Sequence, residues 1–247
     1  MSSILVIGET CKDIFVYCKA IRLAPDLPVP VLEIEHELEN PGMAMNVQLN
    51  IKQIYDNCDL ETNSEWEKIT KTRYVHTLTN HMFIRIDTPH QIPKIDTSKI
   101  NYESAMIVIA DYNKGFLTES DIEEISNKHN LVFLDTKKKL GTWANNCKFI
   151  KINDYEFERS KLSITKALEE KIIHTKGGDG CFYRGEHFPV NRVDVRDSSG
   201  AGDAFMAALA VKYLKSKNII ESIKFANLGA SRVVSEKGVT LLNKMSL

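Results

Sequence analysis

The sequence has almost no net charge. Its 32 Lys and Arg are set against 33 Asp and Glu, leaving −1 at pH 7 over 247 residues. That balance excludes the basic footprint expected of a nucleic-acid-binding protein. No apolar run approaches the roughly 20 residues of a membrane-spanning helix, so no membrane partner is expected. The opening residues Met1-Ser2-Ser3-Ile4-Leu5-Val6 lack a basic stretch and read as the start of a strand, not a signal peptide. The five cysteines are odd in number and none shows Cys-x-x-Cys spacing. They are expected as free thiols, in a cytoplasmic protein. Internal repeats and low-complexity tracts are also missing. What is present is 43% hydrophobic residues, enough for a large core. The length fits one α/β domain over 1–247.

The most informative stretch is Asp197-Ser198-Ser199-Gly200-Ala201-Gly202-Asp203-Ala204-Phe205. Gly200 and Gly202 permit close backbone approach, and the apolar residues after them predict a helix. A helix start presents free N–H groups and a positive dipole end, which suits a phosphate. Asp203, in the first turn, could meet a substrate hydroxyl there; the same letters also suit an N-cap in a loop-to-helix turn. Ile4 to Gly8, Ala105 to Ala110, Leu131 to Leu134 and Phe149 to Ile152 read as buried strands alternating with helical segments. That alternation predicts a mostly parallel sheet covered on both faces. Asp13 follows the first strand in a turn. Residues 22–31 hold too many prolines for a helix, Val31 to Leu38 reads as an exposed strand, and a helix carries Val47, Ile51 and Ile54 on one face. Thr72 to Leu78 and His81 to Asp87 read as two strands about a Thr-Asn turn. Residues 56–70 are polar and weakly patterned. Thr118 and Asp121 make a capping-box start for a helix through Asn127.

Residues 197–205 resemble the D-T-x-G-A-G-D-x-F signature of the PfkB, or ribokinase-like, sugar kinases, with Ser198-Ser199 at the usual threonines. The resemblance implies a ribokinase-like three-layer α/β sandwich with a small β lid from about 14–38 and 72–87. It implies ATP and Mg²⁺, with Asp203 as catalytic base and Gly200, Ala201 and Gly202 as an anion hole. It further implies that Asp13, Gly42 and Asn46 contact the sugar; for Asn46 the alternative is a plain first-turn residue.

Ala24-Pro25 to Val31, Pro41-Gly42-Met43-Ala44-Met45-Asn46-Val47, Lys71-Thr72-Arg73, Arg85-Ile86-Asp87 and Asp111-Tyr112-Asn113-Lys114-Gly115 resemble one branch, the heptose 7-phosphate kinases of lipopolysaccharide core biosynthesis. Those are often fused to an adenylyltransferase; a fused adenylyltransferase is not expected here. Met43 stands where that branch usually has a second glycine, and 56–70 is shorter than its counterpart. Arg73, Arg85 and Lys114 are candidate phosphate contacts; the two arginines also suit solvated strand charges. Asn153 and Glu156 match the family's N-x-x-E motif, implying water-mediated Mg²⁺, and equally suit an ordinary helix start. Thr175-Lys176-Gly177-Gly178-Asp179-Gly180 resembles the family's T-x-G-x-x-G nucleotide loop, with Gly178 and Gly180 as alternative registers; a hairpin turn is the other reading. Asn227 lies in the stretch resembling the adenine-side helix, and Lys237-Gly238-Val239 resembles a terminal K-x-G turn. The expectation is a kinase of a sugar or sugar phosphate, with a homodimer as its assembly. The competing expectations are a kinase of another sugar or nucleoside, and a non-catalytic binding protein with a kinase fold.

Overall fold

A computed structural model of the chain describes residues 3–89, 91–236 and 238–242. In chain order its strands are β1 (Ile4–Gly8), β2 (Thr10–Leu23), β3 (Pro30–Met43), β4 (Cys58–Glu61), β5 (Thr70–His76), β6 (Met82–Asp87), β7 (Met106–Asp111), β8 (Val132–Thr136), β9 (Phe149–Asn153), β10 (Ile172–Thr175), β11 (Cys181–Tyr183) and β12 (Glu186–Phe188). Its α-helices are α1 (Ala44–Lys52), α2 (Glu119–Lys128), α3 (Asp154–Ser160), α4 (Lys166–Glu169), α5 (Ala201–Ser216) and α6 (Ile219–Val234). The chain divides into two units. One comprises Met1–Glu9, Met43–Ser64 and Gln91–Leu247, the other Thr10–Gly42 and Glu65–His90.

The first unit is built on an eight-stranded sheet in the order β12-β11-β10-β9-β8-β7-β1-β4. From β4 to β10 neighbouring strands run parallel, and the β11–β12 hairpin is antiparallel. The two-residue period of the strands sorts their apolar side chains. Ile4, Val6, Met106, Val108 and Phe133 face a core shared with α1, α5 and α6. Leu5, Ile7, Ile107, Ile109, Val132 and Leu134 face a second core closed by Ile122 and Ile125 of α2, Trp143 and Leu168. Helices on both faces of the sheet make three layers, as expected of the ribokinase-like sandwich. At Gly8 the strands approach so closely that a Cβ would lie 2.0 Å from the Ala110 carbonyl oxygen. All five cysteines are buried free thiols; burial pushes Cys11 up to about 11 and Cys58, Cys147 and Cys181 to about 12.

The second unit is a four-stranded sheet in the order β3-β2-β5-β6. β2 and β5 are parallel, and β5 and β6 form a hairpin turned at Asn80, where φ is +56°. Ile34, Leu38, Ile84 and Ile86 of this sheet are about half exposed.

Three local expectations need correction. Asp13 lies inside the long strand β2, not in a turn. The stretch 56–70 holds β4, a short edge strand pairing Cys58 with Ile4; its four residues, two of them acidic, are too few to show a pattern. α1 ends at Lys52, so Ile54 follows the helix and packs on the core from a turn. Of the terminal turn, Lys237 lies outside the described residues.

Candidate active site

α5 starts at Gly200, whose φ of +80° puts it in the left-handed region that glycine adopts without strain. The chain turns sharply there, and Asp203 falls in the first helical turn, buried. Its carboxylate is held from two other elements. Asn46 Nδ2, from α1, donates to Oδ2 at 2.7 Å, and the Tyr112 hydroxyl, from the loop after β7, donates to Oδ1 at 2.5 Å. Burial raises the Asp203 pKa above the ordinary carboxylate range; Asp135 adds to this, while Tyr112, Asn46 and Lys151 oppose it. An aspartate that only capped its helix would bond to its own first-turn N–H groups, whereas these bonds run to residues distant in sequence.

Asp203 lines a cavity of about 700 Å³ shared with Tyr112, Asp135, Lys137, Lys151, Asn153 and the turn Gly200-Ala201-Gly202. Lys151 is buried, and its Nζ lies 2.5 Å from Asp135 Oδ2. That ammonium packs directly on Gly202, where a Cβ would come within 2.8 Å of it. Glycine here leaves room for a cation against the start of α5. On the other side of Asp135, Lys137 Nζ sits 3.6 Å from Oδ1 and bonds Glu156 Oε1. Burial works against the charge on Lys137, but Asp135 and Glu156 outweigh it and raise its pKa. Two ammonium groups therefore flank one buried carboxylate at the carboxyl ends of β8 and β9, where open α/β sheets bind ligands.

Asn153 and Glu156 form a reciprocal capping box at the start of α3. Asn153 Oδ1 accepts from the Glu156 N–H at 2.9 Å, and Glu156 Oε2 accepts from the Asn153 N–H at 2.8 Å. The helix-start reading of the motif is realised, and Asn153 opens on the cavity. Its fit to a metal is limited. Glu156 Oε1 takes Lys137 and Asn153 Nδ2, so direct ligation is obstructed, while oxygen donors with spare lone pairs suit Mg²⁺ held through water. Among the described residues no group of three His, Cys, Asp or Glu is arranged to hold a metal ion.

The cavity continues along Thr175 and Gly177 to Gly180, with Asn227 on α6. The structure separates the two glycine registers. A Cβ on Gly178 would meet open space, whereas Gly180, at φ +85°, would place one 2.1 Å from the Phe188 carbonyl oxygen. Asn227 Nδ2 donates to that same carbonyl at 2.9 Å, and Lys176 Nζ pairs with Asp154 at 3.3 Å. The Lys114 side chain is exposed while its N–H is bound by Glu9.

Asp13, Gly42, Arg73 and Arg85 belong to the second unit. Arg73 Nη1 bonds Asp13 Oδ1 at 2.7 Å, and a Cβ on Gly42 would come within 2.4 Å of Asp13 Oδ2, so these three residues meet. Arg85 forks onto Asp87 with two bonds of 2.6 Å, on an exposed surface. Sequence reasoning missed Glu9 and Lys151 as site residues. Their signal was a charge inside or just after a buried apolar strand, where charges are tolerated only when paired.

A three-layer α/β fold whose helix N-terminus, buried carboxylate and lysines converge on one cavity defines a phosphotransferase architecture. The pfkB family carbohydrate kinase pattern matches residues 86–245, and the chain belongs to that family. Members transfer a phosphoryl group to a sugar hydroxyl. The chain is 28% identical to the bifunctional protein HldE of Helicobacter pylori strain J99 over 98% of its length, and 24% identical to HldE of Vibrio parahaemolyticus over 100%. It spans 64% of the former relative's length and 63% of the latter's. The alignment with the Helicobacter protein runs over 298 residues, more than this chain contains, so that relative carries segments without a counterpart here. In fold it is similar to a ribokinase from Thermotoga maritima (TM-score 0.73, 19% identity, 97% of this chain and 95% of that one). It is also similar to a nucleoside kinase from Methanocaldococcus jannaschii (TM-score 0.74, 19% identity, 99% and 95%).

Proposed function

We propose that the chain is an ATP-dependent kinase that phosphorylates the anomeric hydroxyl of D-glycero-D-manno-heptose 7-phosphate. The observation that carries the kinase reading is Asp203, held by two donors beside the Gly200-Ala201-Gly202 turn in a cavity lined with lysines. Asp203 accepts the proton of the attacking sugar hydroxyl as that oxygen bonds to the γ-phosphorus and ADP departs. The N–H groups at the start of α5, with Lys151 and Lys137, hold the charge of the transferring group. Asn153 and Glu156 would hold Mg²⁺ through water, and the ion would supply further neutralisation of the transferring group. Thr175, Lys176, Gly178, Gly180 and Asn227 form the nucleotide side.

The heptose assignment is supported by the HldE relatives; Arg73, Arg85 and Lys114 are proposed for the phosphate, and Asp13, Gly42 and Asn46 for the sugar hydroxyls. The second unit is proposed as the sugar-side lid. Its half-exposed Ile34, Leu38, Ile84 and Ile86 support a homodimer, for which sedimentation velocity of the apo chain is the check. Cytoplasmic localisation is the matching proposal for a kinase that draws on ATP; no described helix is long and apolar enough to cross a membrane.

The test is ADP release with Mg²⁺ and ATP over a panel of the heptose 7-phosphate, fructose 6-phosphate, ribose and fructose. The expected result is the highest kcat/KM for the heptose phosphate. Preference for a neutral sugar overturns the heptose assignment, and no ADP release with any acceptor overturns the kinase reading. A kinase of a different sugar is the second reading. It is favoured by Met43, a buried, bulky residue at φ +62° at the entry to α1.

A further inference from the structure

The loop that carries Tyr112 is built with unusual care for an exposed segment. Asp111 is buried; its Oδ1 accepts from the Asn113 N–H at 3.1 Å and from Lys138 Nζ at 2.7 Å, and its Oδ2 accepts from the Thr136 hydroxyl. Asn113 and Gly115 both have positive φ, at +55° and +103°. This backbone turns the N–H groups of Tyr112 and Lys114 inward, and both end on one buried carboxylate. Glu9 Oε2 accepts from Tyr112 N at 2.8 Å and Oε1 from Lys114 N at 2.8 Å. Glu9 reaches them because β1 and β7 are pressed together at Gly8 and Ala110. Burial and the neighbouring Asp111 push the Glu9 pKa up, while the N–H groups of Tyr112 and Lys114 pull it down.

We propose that Tyr112 is the positioning residue for the Asp203 base, and that Glu9 acts through it by fixing the loop from which the Tyr112 hydroxyl reaches Asp203 Oδ1. The proposal rests on the reading of Asp203 as the base. A carboxylate in a buried site needs donors that favour its charged form and leave a lone pair for the incoming hydroxyl. Asn46 serves Oδ2 and Tyr112 serves Oδ1, one donor per oxygen. The other charged groups that act on Asp203 are Asp135 of β8, Lys137 after β8 and Lys151 of β9. None of them is altered by removing the phenolic oxygen.

The test has two parts. The first needs no substrate. Thermal melts of the apo protein from pH 5 to pH 8.5 compare Tyr112→Phe with wild type, and the same change in an Asp203→Asn background. The hydroxyl favours ionised Asp203, so Tyr112→Phe is expected to lower Tm most at high pH and least at low pH. In the Asp203→Asn background that pH dependence is expected to vanish. A deficit of equal size at every pH, or a pH dependence that persists in the Asp203→Asn background, overturns the proposal. The second part measures turnover with Mg²⁺, ATP and the best acceptor of the sugar panel. Tyr112→Phe is expected to lower kcat by about 10-fold or more, as for a hydrogen bond to a charged group, and to move the acid limb of the kcat/KM profile to higher pH. Glu9→Gln is expected to shift the same limb in the same direction. The double variant is expected to turn over no more slowly than Tyr112→Phe alone, because both changes act on one contact. Additive losses leave Glu9 a purely structural residue and overturn its part. Asp203→Asn is assayed alongside: an active Asp203→Asn removes the base reading itself, whereas an inactive one beside an unaffected Tyr112→Phe removes only the present proposal.

Discussion

Replacing Lys151 with Met isolates the buried charge cluster. Lys151 and Asp135 are both almost fully buried and 2.5 Å apart, and Met keeps most of the lysine's volume without its charge. Removing one partner of a buried pair typically costs about 3–5 kcal/mol, because the remaining charge is left in a poor medium. Here Lys137 still stands 3.6 Å from Asp135 Oδ1, which places the expected cost at the lower end, about 3 kcal/mol. For a chain of this size that is a Tm drop of roughly 6–12 °C. The pH dependence has a definite sign. Burial pushes the Asp135 pKa up, but Lys151 and Lys137 pull harder and hold it below its ordinary value of 3.8. In wild type this contribution is present above the unfolded pKa and lost as pH falls through the folded one. Without Lys151, burial dominates and Asp135 titrates higher, so the variant's deficit is largest at neutral pH and narrows in acid. Differential scanning calorimetry at pH 7.5 and pH 5 reads both effects. The variant Asp135→Leu with Lys151→Met, which removes both charges, is expected to be more stable than Lys151→Met alone. If the single variant melts at or above the double, or its deficit grows in acid, the reasoning about this pair is wrong.

Three further outcomes follow from the same geometry. Asp203→Asn is expected to lower kcat by about 10²–10⁴-fold, the usual contribution of a general base. Because the folded pKa of Asp203 is raised, its ionised form costs stability at neutral pH, so this variant should melt no lower than wild type at pH 7.5, with any gain fading in acid. Glu156→Gln is expected to raise the half-saturating Mg²⁺ concentration more than the sugar KM, and an unchanged Mg²⁺ titration would remove Glu156 from the metal side. At Met43, a positive φ costs a non-glycine residue about 1–3 kcal/mol. Met43→Gly is therefore expected to melt above Met43→Ala, since both lose the buried side chain and only glycine relieves the backbone.

Much of the main sheet was legible because β1, β7 and β8 are buried on both faces and open on apolar runs, and β9 is apolar but for Lys151. The helix starts at Thr118 and after Gly200 were legible because local chemistry sets them; the Thr118–Asp121 capping box forms as its spacing predicts. β4 was not legible, because an edge strand of four residues has too little burial to impose a pattern. The site was legible where a motif is contiguous, at 197–205 and 153–156. It was not legible where partners come from separate strands. Lys151 and Asp135 are 16 residues apart and meet through the register of β8 and β9, while Tyr112 and Asp203 are 91 apart and meet because α5 packs on the sheet. Arg73 was legible as a cation, but its pairing with Asp13 depends on how β2 and β5 lie side by side; Arg85 and Asp87 pair locally, two residues apart on one face of β6.

The burial of all five thiols has a practical consequence for anyone labelling this molecule. A thiolate is the reactive species, and thiols hidden in the core with raised pKa values are poor nucleophiles at neutral pH. The native chain therefore offers a dark background to maleimide dyes and spin labels. Cysteines introduced at Leu162 and Leu78, 98% and 73% exposed and one in each unit, would take up label selectively. Dipolar or fluorescence distances between such a pair would report directly on any movement of the two units when nucleotide and sugar are added, with no native cysteine needing removal first.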